Sequence, residues 1–284
     1  MSEKILIASD STTDLSPEQV EKYGIKIVHM GVSLGDKSYT DGVDIDPDMI
    51  YDHYNKTGEL PKTSAINIAQ FSDFFEKYTE EGYSIVLFTI SRDMSSTYSN
   101  ACIAAEDFPN VYVVDTRNLS TGGGLLVISA SEMAAEGKSA AEIAKACEEL
   151  TPYVDASFVI DNLEFLYKGG RCSAVEAFGA NLLSLKPCIA VKDGKMGVGK
   201  KYRGKFDRVL PMYIQDRIGD GSDICTKHIF VTHAGCDEDV VNMCVDKVKS
   251  YGLFEDVMVS RAGCTVSSHC GRNTLGVLFI RKKQ

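Results

Sequence analysis

The sequence predicts an α/β protein: a mostly parallel sheet with helices on both faces over residues 1–150, joined to a smaller α/β layer of α+β-like character over residues 151–284. Two observations predict it. Short apolar, strand-like runs (KILIAS, SIVLFTI, VYVVD) alternate with longer amphipathic segments through the first half, the pattern of βα units laid onto a parallel sheet. The 284 residues also exceed one typical domain, and at 44% apolar they can bury a sizeable core.

Taken in order, KILIAS is the first strand. Ser16, Pro17 and Gln19 then supply an N-cap, a proline at the first helical turn and a capping-box partner, so a helix follows over SPEQVEKYG. IKIVHMGVSL is read as one strand and AINIAQFSDFFEKYTEEG as a helix. The strand SIVLFTI, a helix near SSTYSNACIAAED, the strand VYVVD and a helix over GGLLVISASEMAAEG complete the alternation. After the amphipathic SAAEIAKACEELTPYV the chain changes character near residue 150. SFVIDN is strand-like, YKGGRCS a basic glycine-bearing loop, and CIAVKDGKM an apolar run after Pro187. FDRVLPMYIQDRI and EDVVNMCVDKVKSYG read as helices, HIFVTHAG and LGVLFI as strands. In such a sheet the functional edge is expected at the carboxyl ends of the strands.

Charge and cysteine content narrow the function. Residues 1–150 hold 11 Lys/Arg against 25 Asp/Glu, and residues 151–284 hold 19 against 15, so the halves are expected to meet different partners. The net charge of −10 argues against non-specific nucleic-acid binding, which depends on neutralising phosphates. Nine scattered cysteines fit reduced thiols, and no export signal precedes the first strand, so a cytoplasmic location is expected. The apolar runs fall far short of the about 20 residues a membrane span needs.

Five segments gather polar groups near expected strand ends: SDSTTD, KTSAIN, SRDMSST, DTRNLSTGGG and SSHCGRN. Hydroxyls beside helix N-termini cap those helices, and they also suit a carboxylate or phosphate. A nucleophilic Ser95 would need a base and an acid. His269 with Asp10 or Asp115 offers them in principle, but the G-x-S-x-G elbow is absent. H-x-x-C at His233 and Cys236 lacks the companions of a metal site, and GGG at 122–124 lacks the spacing of a dinucleotide loop. No metal or cofactor is expected. Arg171 is a candidate anion fork, and the cationic run from Lys192 to Arg208 is either a solvated face or a dock for an acidic partner.

Eight segments in order, SDSTTDL, KTSAINIAQF, SRDMSSTYSNA, VVDTRNLSTGGG, LEFLYKGGRCS, LKPCIAVKDGKM, KYRGKFDRVL and SSHCGRNTLGV, resemble the DegV family of bacterial fatty-acid-binding proteins. The resemblance implies a parallel-sheet α/β domain, a smaller second domain, and one long-chain fatty acid held between or within them. It further implies the role of lipid-carrying subunit of a bacterial fatty acid kinase in phospholipid metabolism. Such a subunit has no turnover of its own and presents the carboxylate to an ATP-dependent partner. Carried over, Thr63, Ser95 and His269 would hold the carboxylate, with Ser64, Ser96 and Arg171 near it and Arg203 docking the kinase. Two departures stand out: Ser96 replaces the family glycine, and HCGRN replaces HTGPG, bringing in Arg272, a cation expected near the carboxylate. A chain of roughly C14–C18 offers on the order of 11 kcal/mol of gross burial at about 0.8 kcal/mol per methylene, so the head group needs only orientation. The competing reading is a stand-alone serine hydrolase or small-molecule phosphotransferase using Ser95 and His269.

Overall fold

The computed structural model describes residues 3–172 and 185–283; Ser173, which ends the YKGGRCS segment, lies outside them. Strand β1 (Ile5–Asp10) runs into a single 3-10 turn, then into helix α1 (Pro17–Lys22), which closes on the capping box between Ser16 and Gln19. β2 (Lys26–Val28), β6 (Ser84–Thr89) and β7 (Val111–Asp115) join β1 in a wholly parallel sheet of order β2-β1-β6-β7. Helices α3 (Ile68–Glu80) and α4 (Thr97–Ala105) cover one face through Phe71, Phe75, Ala101 and Ala104. Helices α5 (Thr121–Ala135) and α6 (Ala140–Leu150) cover the other through Leu125, Ile128, Ile143 and Cys147. The α/β class read from the sequence is what the chain adopts.

IKIVHMGVSL is not one strand. The chain leaves the parallel sheet after Val28 and forms β3 (Gly31–Leu34), which pairs antiparallel with β4 (Lys37–Thr40) and β5 (Lys62–Ser64) in a separate three-stranded sheet. The break is fixed by side chains: Ser11 Oγ accepts the Met30 N–H at 3.1 Å, and His29 Nδ1 meets Asp41 O at 2.7 Å. Helix α2 (Pro47–Thr57) fills the connection between β4 and β5.

The remaining strands build a six-stranded sheet of order β10-β9-β8-β13-β11-β12. These are β8 (Val154–Ile160), β9 (Leu185–Lys192), β10 (Lys195–Arg203), β11 (Ile224–Ala234), β12 (Asp256–Arg261) and β13 (Thr274–Arg281). Only the β11–β12 pair is parallel. Helices α8 (Phe206–Ile218) and α9 (Glu238–Lys249) pack on one face. On the other, Ala156, Phe230 and Leu278 meet α5, which is therefore wedged between the two sheets. That position accounts for a helix with Gly122 through Ile128 all buried. It also accounts for the triple glycine: a Cβ on Gly122 would lie 2.3 Å from Asn118 Oδ1, and one on Gly124 2.9 Å from Leu15 Cδ2. GGG permits close packing of a helix start against the β1 turn.

Two short helices finish the frame. α7 (Glu164–Gly169) ends at Gly170 in the left-handed region, and α10 (Cys264–Cys270) absorbs most of the SSHCGRN segment that the sequence suggested was a loop.

Candidate functional site

A cavity of about 280 Å³ opens where β2, β6 and β7 end, between the parallel sheet and α10. Its lining is both polar and apolar. Thr63, Arg171 and His269 form a polar end, Ser95, Ser96 and Thr265 add further polar lining, and Ile90, Leu119 and Val266 supply apolar wall, joined by Met30, Met94 and Met196. Beyond Leu119, Val266 and Cys270 a second, narrower apolar space of about 30 Å³ continues toward β8, β11 and β13. A broad depression of about 730 Å³ lies outside the polar end and shares Thr63, Arg171 and His269 with the inner cavity. These three residues stand between solvent and interior.

Strand alternation aims Thr63 inward, and its Oγ1 meets His269 Nε2 at 3.0 Å although 206 positions separate them. His269 is carried at the last turn of α10, and burial, aided by the Arg171 charge, lowers its pKa to about 4. The imidazole is therefore neutral at pH 7. In the Nε2–H tautomer the ring donates to Thr63 Oγ1, leaving the threonine proton for an acid oxygen; in the other tautomer Thr63 donates to the ring. His269 Nδ1 is buried with no hydrogen-bond partner among the described residues. The backbone of Gly169 passes close by, since a Cβ there would sit 2.6 Å from Nδ1. The paired glycines of YKGGRCS thus have distinct tasks: Gly169 admits the histidine, and Gly170, at φ 66°, turns the chain out of α7.

Ser95 is half-buried, and its Oγ accepts the Thr97 N–H at 3.2 Å and lies 2.9 Å from Thr97 Oγ1, so it starts α4 while facing the cavity. Its hydroxyl is engaged with Thr97, and the His269 ring with Thr63, so the serine–histidine pair that nucleophilic chemistry requires is not formed. Ser96 lies on the rim at φ −75°, an ordinary helical value, so this position does not need the positive φ for which a glycine would be kept. Arg171 is exposed and folds back to donate to Gly169 O at 2.7 Å.

Two residues expected near the carboxylate lie elsewhere. Ser64 points to the opposite side of β5 from Thr63, toward Gly31. Arg272, expected near the carboxylate, is half-exposed on another face, stacked 4.7 Å over the Tyr51 ring and 3.4 Å from Asp48. The turn it belongs to is made possible by Gly271 at φ 72° and by Asn273, a residue that tolerates the left-handed region, at φ 55°. Arg203 is exposed at the end of β10, an edge strand whose other end carries the cavity residue Met196.

SDSTTD, a segment open to either helix capping or anion binding, forms a buried polar knot. Asp10 accepts from the N–H groups of Thr12 at 2.9 Å and Ile90 at 2.7 Å, tying the ends of β1 and β6 together. Burial raises its pKa to about 6 and pushes that of Asp14 well up. Asp41, which the sequence did not single out, completes the knot; its only sequence signal is a place in a turn-like DGVD.

Comparison with known proteins gives one consistent result. A family described as "Uncharacterised protein, DegV family" matches residues 4–282. A DegV domain-containing protein of Clostridium acetobutylicum is 34% identical, covering 99% of each chain. A solved structure on fatty acid binding of a DegV family protein from Thermus thermophilus superposes with a TM-score of 0.88 at 29% identity, covering 98% of this chain and 99% of that one. A stearic-acid-binding protein from Eubacterium ventriosum gives 0.85 at 29%, covering 98% of each.

Proposed function

The chain belongs to the DegV family, and we propose that it binds one long-chain fatty acid, roughly C14–C18, and presents the carboxylate to an ATP-dependent kinase that forms the acyl phosphate. The observation that carries this reading is the cavity itself: a polar mouth at Thr63, Arg171 and His269, apolar wall supplied by Ile90, Leu119 and Val266, and a still more apolar space continuing it. Burial of the methylenes supplies the affinity, and neutral donors orient the acid. Thr63, Ser95 and His269 hold it without a fixed countercharge, which leaves an oxygen nucleophilic toward a phosphoryl group. Arg171 stands at the mouth, where a transferred phosphate would arrive, and Arg203 on the β10 edge is the proposed contact for the kinase. The division into two domains near residue 150 is proposed on the same footing, with the site between the parallel sheet and α10.

Thr63→Ala combined with Ser95→Ala tests the reading. Palmitate affinity should fall at least tenfold, and acyl phosphate formation with a fatty acid kinase should fall with it. If the wild-type protein alone hydrolyses esters or transfers phosphate, and the double variant abolishes that activity, the stand-alone enzyme is the correct account.

A further inference from the structure

We propose that Asp41, assisted by Asp14, is the positioning residue of the head-group end: it fixes the N-terminus of α10 and so sets His269 against Thr63. α10 spans seven residues, CTVSSHC, too few for a helix to hold itself in water. It supplies Thr265, Val266, His269 and Cys270 to the cavity, so its placement decides the shape of the site. Its N-cap is Gly263, which has no side chain to offer the first free N–H groups.

Two distant carboxylates take that role. Asp14 Oδ1 accepts the Gly263 N–H at 2.8 Å, and Asp41 Oδ1 accepts the Cys264 N–H at 2.8 Å. Asp41 Oδ2 accepts the Thr265 N–H at 3.1 Å and its hydroxyl at 2.6 Å. Three successive helix donors are thereby held, and engaging both oxygens of Asp41 fixes the rotation of the helix as well as its position. A negative group at this end also suits the helix dipole. Gly263 suits the same arrangement, because a Cβ would come within 3.1 Å of Asp14 Oδ1, tighter than an ordinary contact.

Asp41 is itself immobilised. Its N–H donates to Met30 O at 2.9 Å, its carbonyl accepts at His29, and Ser11 Oγ donates to Oδ2 at 3.0 Å while accepting from Met30 N. Asp14 is held by Ser120 Oγ at 2.5 Å, and Ser260 Oγ donates to its carbonyl. The knot therefore connects the turn after β1, the break after β2 and the helix bearing His269. At 2% exposed, Asp41 does not line the cavity and acts only through α10.

The test compares palmitate with 1-hexadecanol, which has the same chain length but no carboxylate, and rests on the fatty-acid reading. Asp41→Asn should weaken palmitate binding at least tenfold and hexadecanol by a clearly smaller factor, because Val266 and Cys270 shift with α10 while the rest of the tail wall lies on other elements, whereas the head group loses its His269–Thr63 setting. Ser11→Ala, which leaves the carboxylate and removes one donor to it, should show the same selectivity at two- to fivefold. The His269 15N signals of the lipid-free Asp41→Asn protein should also move toward those of a ring no longer bonded to Thr63. Equal losses for both ligands, or unchanged His269 signals, would overturn the proposal. Failure of the wild type to bind palmitate would instead refute the fatty-acid reading, and the lipid-free His269 signals would still decide the role of Asp41. Should Asp41→Asn not fold, Ser11→Ala decides by the same two criteria.

Discussion

A neutral His269 determines what the polar end of the cavity offers to an acid. With its pKa held at about 4 by burial, a carboxylate bound beside it should raise that value, since an opposite charge favours the protonated ring. NMR titration should show the rise when palmitate is added; an unmoved His269 would place the acid elsewhere. The same group shapes stability. Unfolded, the ring titrates near about 6.5, so between there and about 4 the unfolded chain binds the extra proton and stability falls as pH falls. Asp10 works in the opposite sense: with its folded pKa raised to about 6, the folded chain takes the proton first and stability rises as pH falls below that. His269→Asn removes only the first contribution. In urea melts the variant should gain on wild type by on the order of 2 kcal/mol between pH 7 and pH 4.5, and a relative loss would reverse the assignment. Thr63, Ser95 and His269 were legible because their motifs carry them in order. Asp41 was not, because the helix donors it holds lie more than 200 positions away and no local pattern announces them.

Among elements, those marked by signals within their own sequence were legible and those held from outside were not. α1, α3, α5 and α6 have clear caps, period or length, whereas β5 and α10 are held chiefly by contacts made from outside their own sequence. α7 shows how closely such a piece is fitted. Gly169→Ala should gain up to about 1 kcal/mol in helix propensity, yet its methyl would meet His269 Nδ1 at 2.6 Å. Palmitate affinity should therefore fall about tenfold, by calorimetry, and unchanged affinity would mean that His269 has room to spare. The waist formed by Leu119, Val266 and Cys270 divides the main cavity from a space of only about 30 Å³. Leu119→Ala should join the two at a stability cost of about 2–5 kcal/mol and shift the bound acids toward longer chains. A chain-length profile identical to wild type would show that the waist does not limit the tail.

Across the whole molecule, α5 is the shared layer: one side seals the parallel sheet and the other meets the six-stranded sheet. Alternating periodicity identified the first sheet, but no sequence period reports that Phe230 and Leu278 would close on the same helix as Val86 and Phe88. The charge asymmetry is visible in the fold as an exposed cationic edge, with Lys195, Lys200, Arg203 and Lys205 on or just after β10. Among the described residues no helix is long and apolar enough to cross a membrane. The proposed occupant has a polar head and a long apolar tail. Native mass spectrometry of the purified protein, with organic extraction of whatever accompanies it, tests this most directly. A stoichiometric adduct that extracts as a single long-chain fatty acid is the predicted result; protein that carries no lipid and takes up neither added palmitate nor oleate would contradict it.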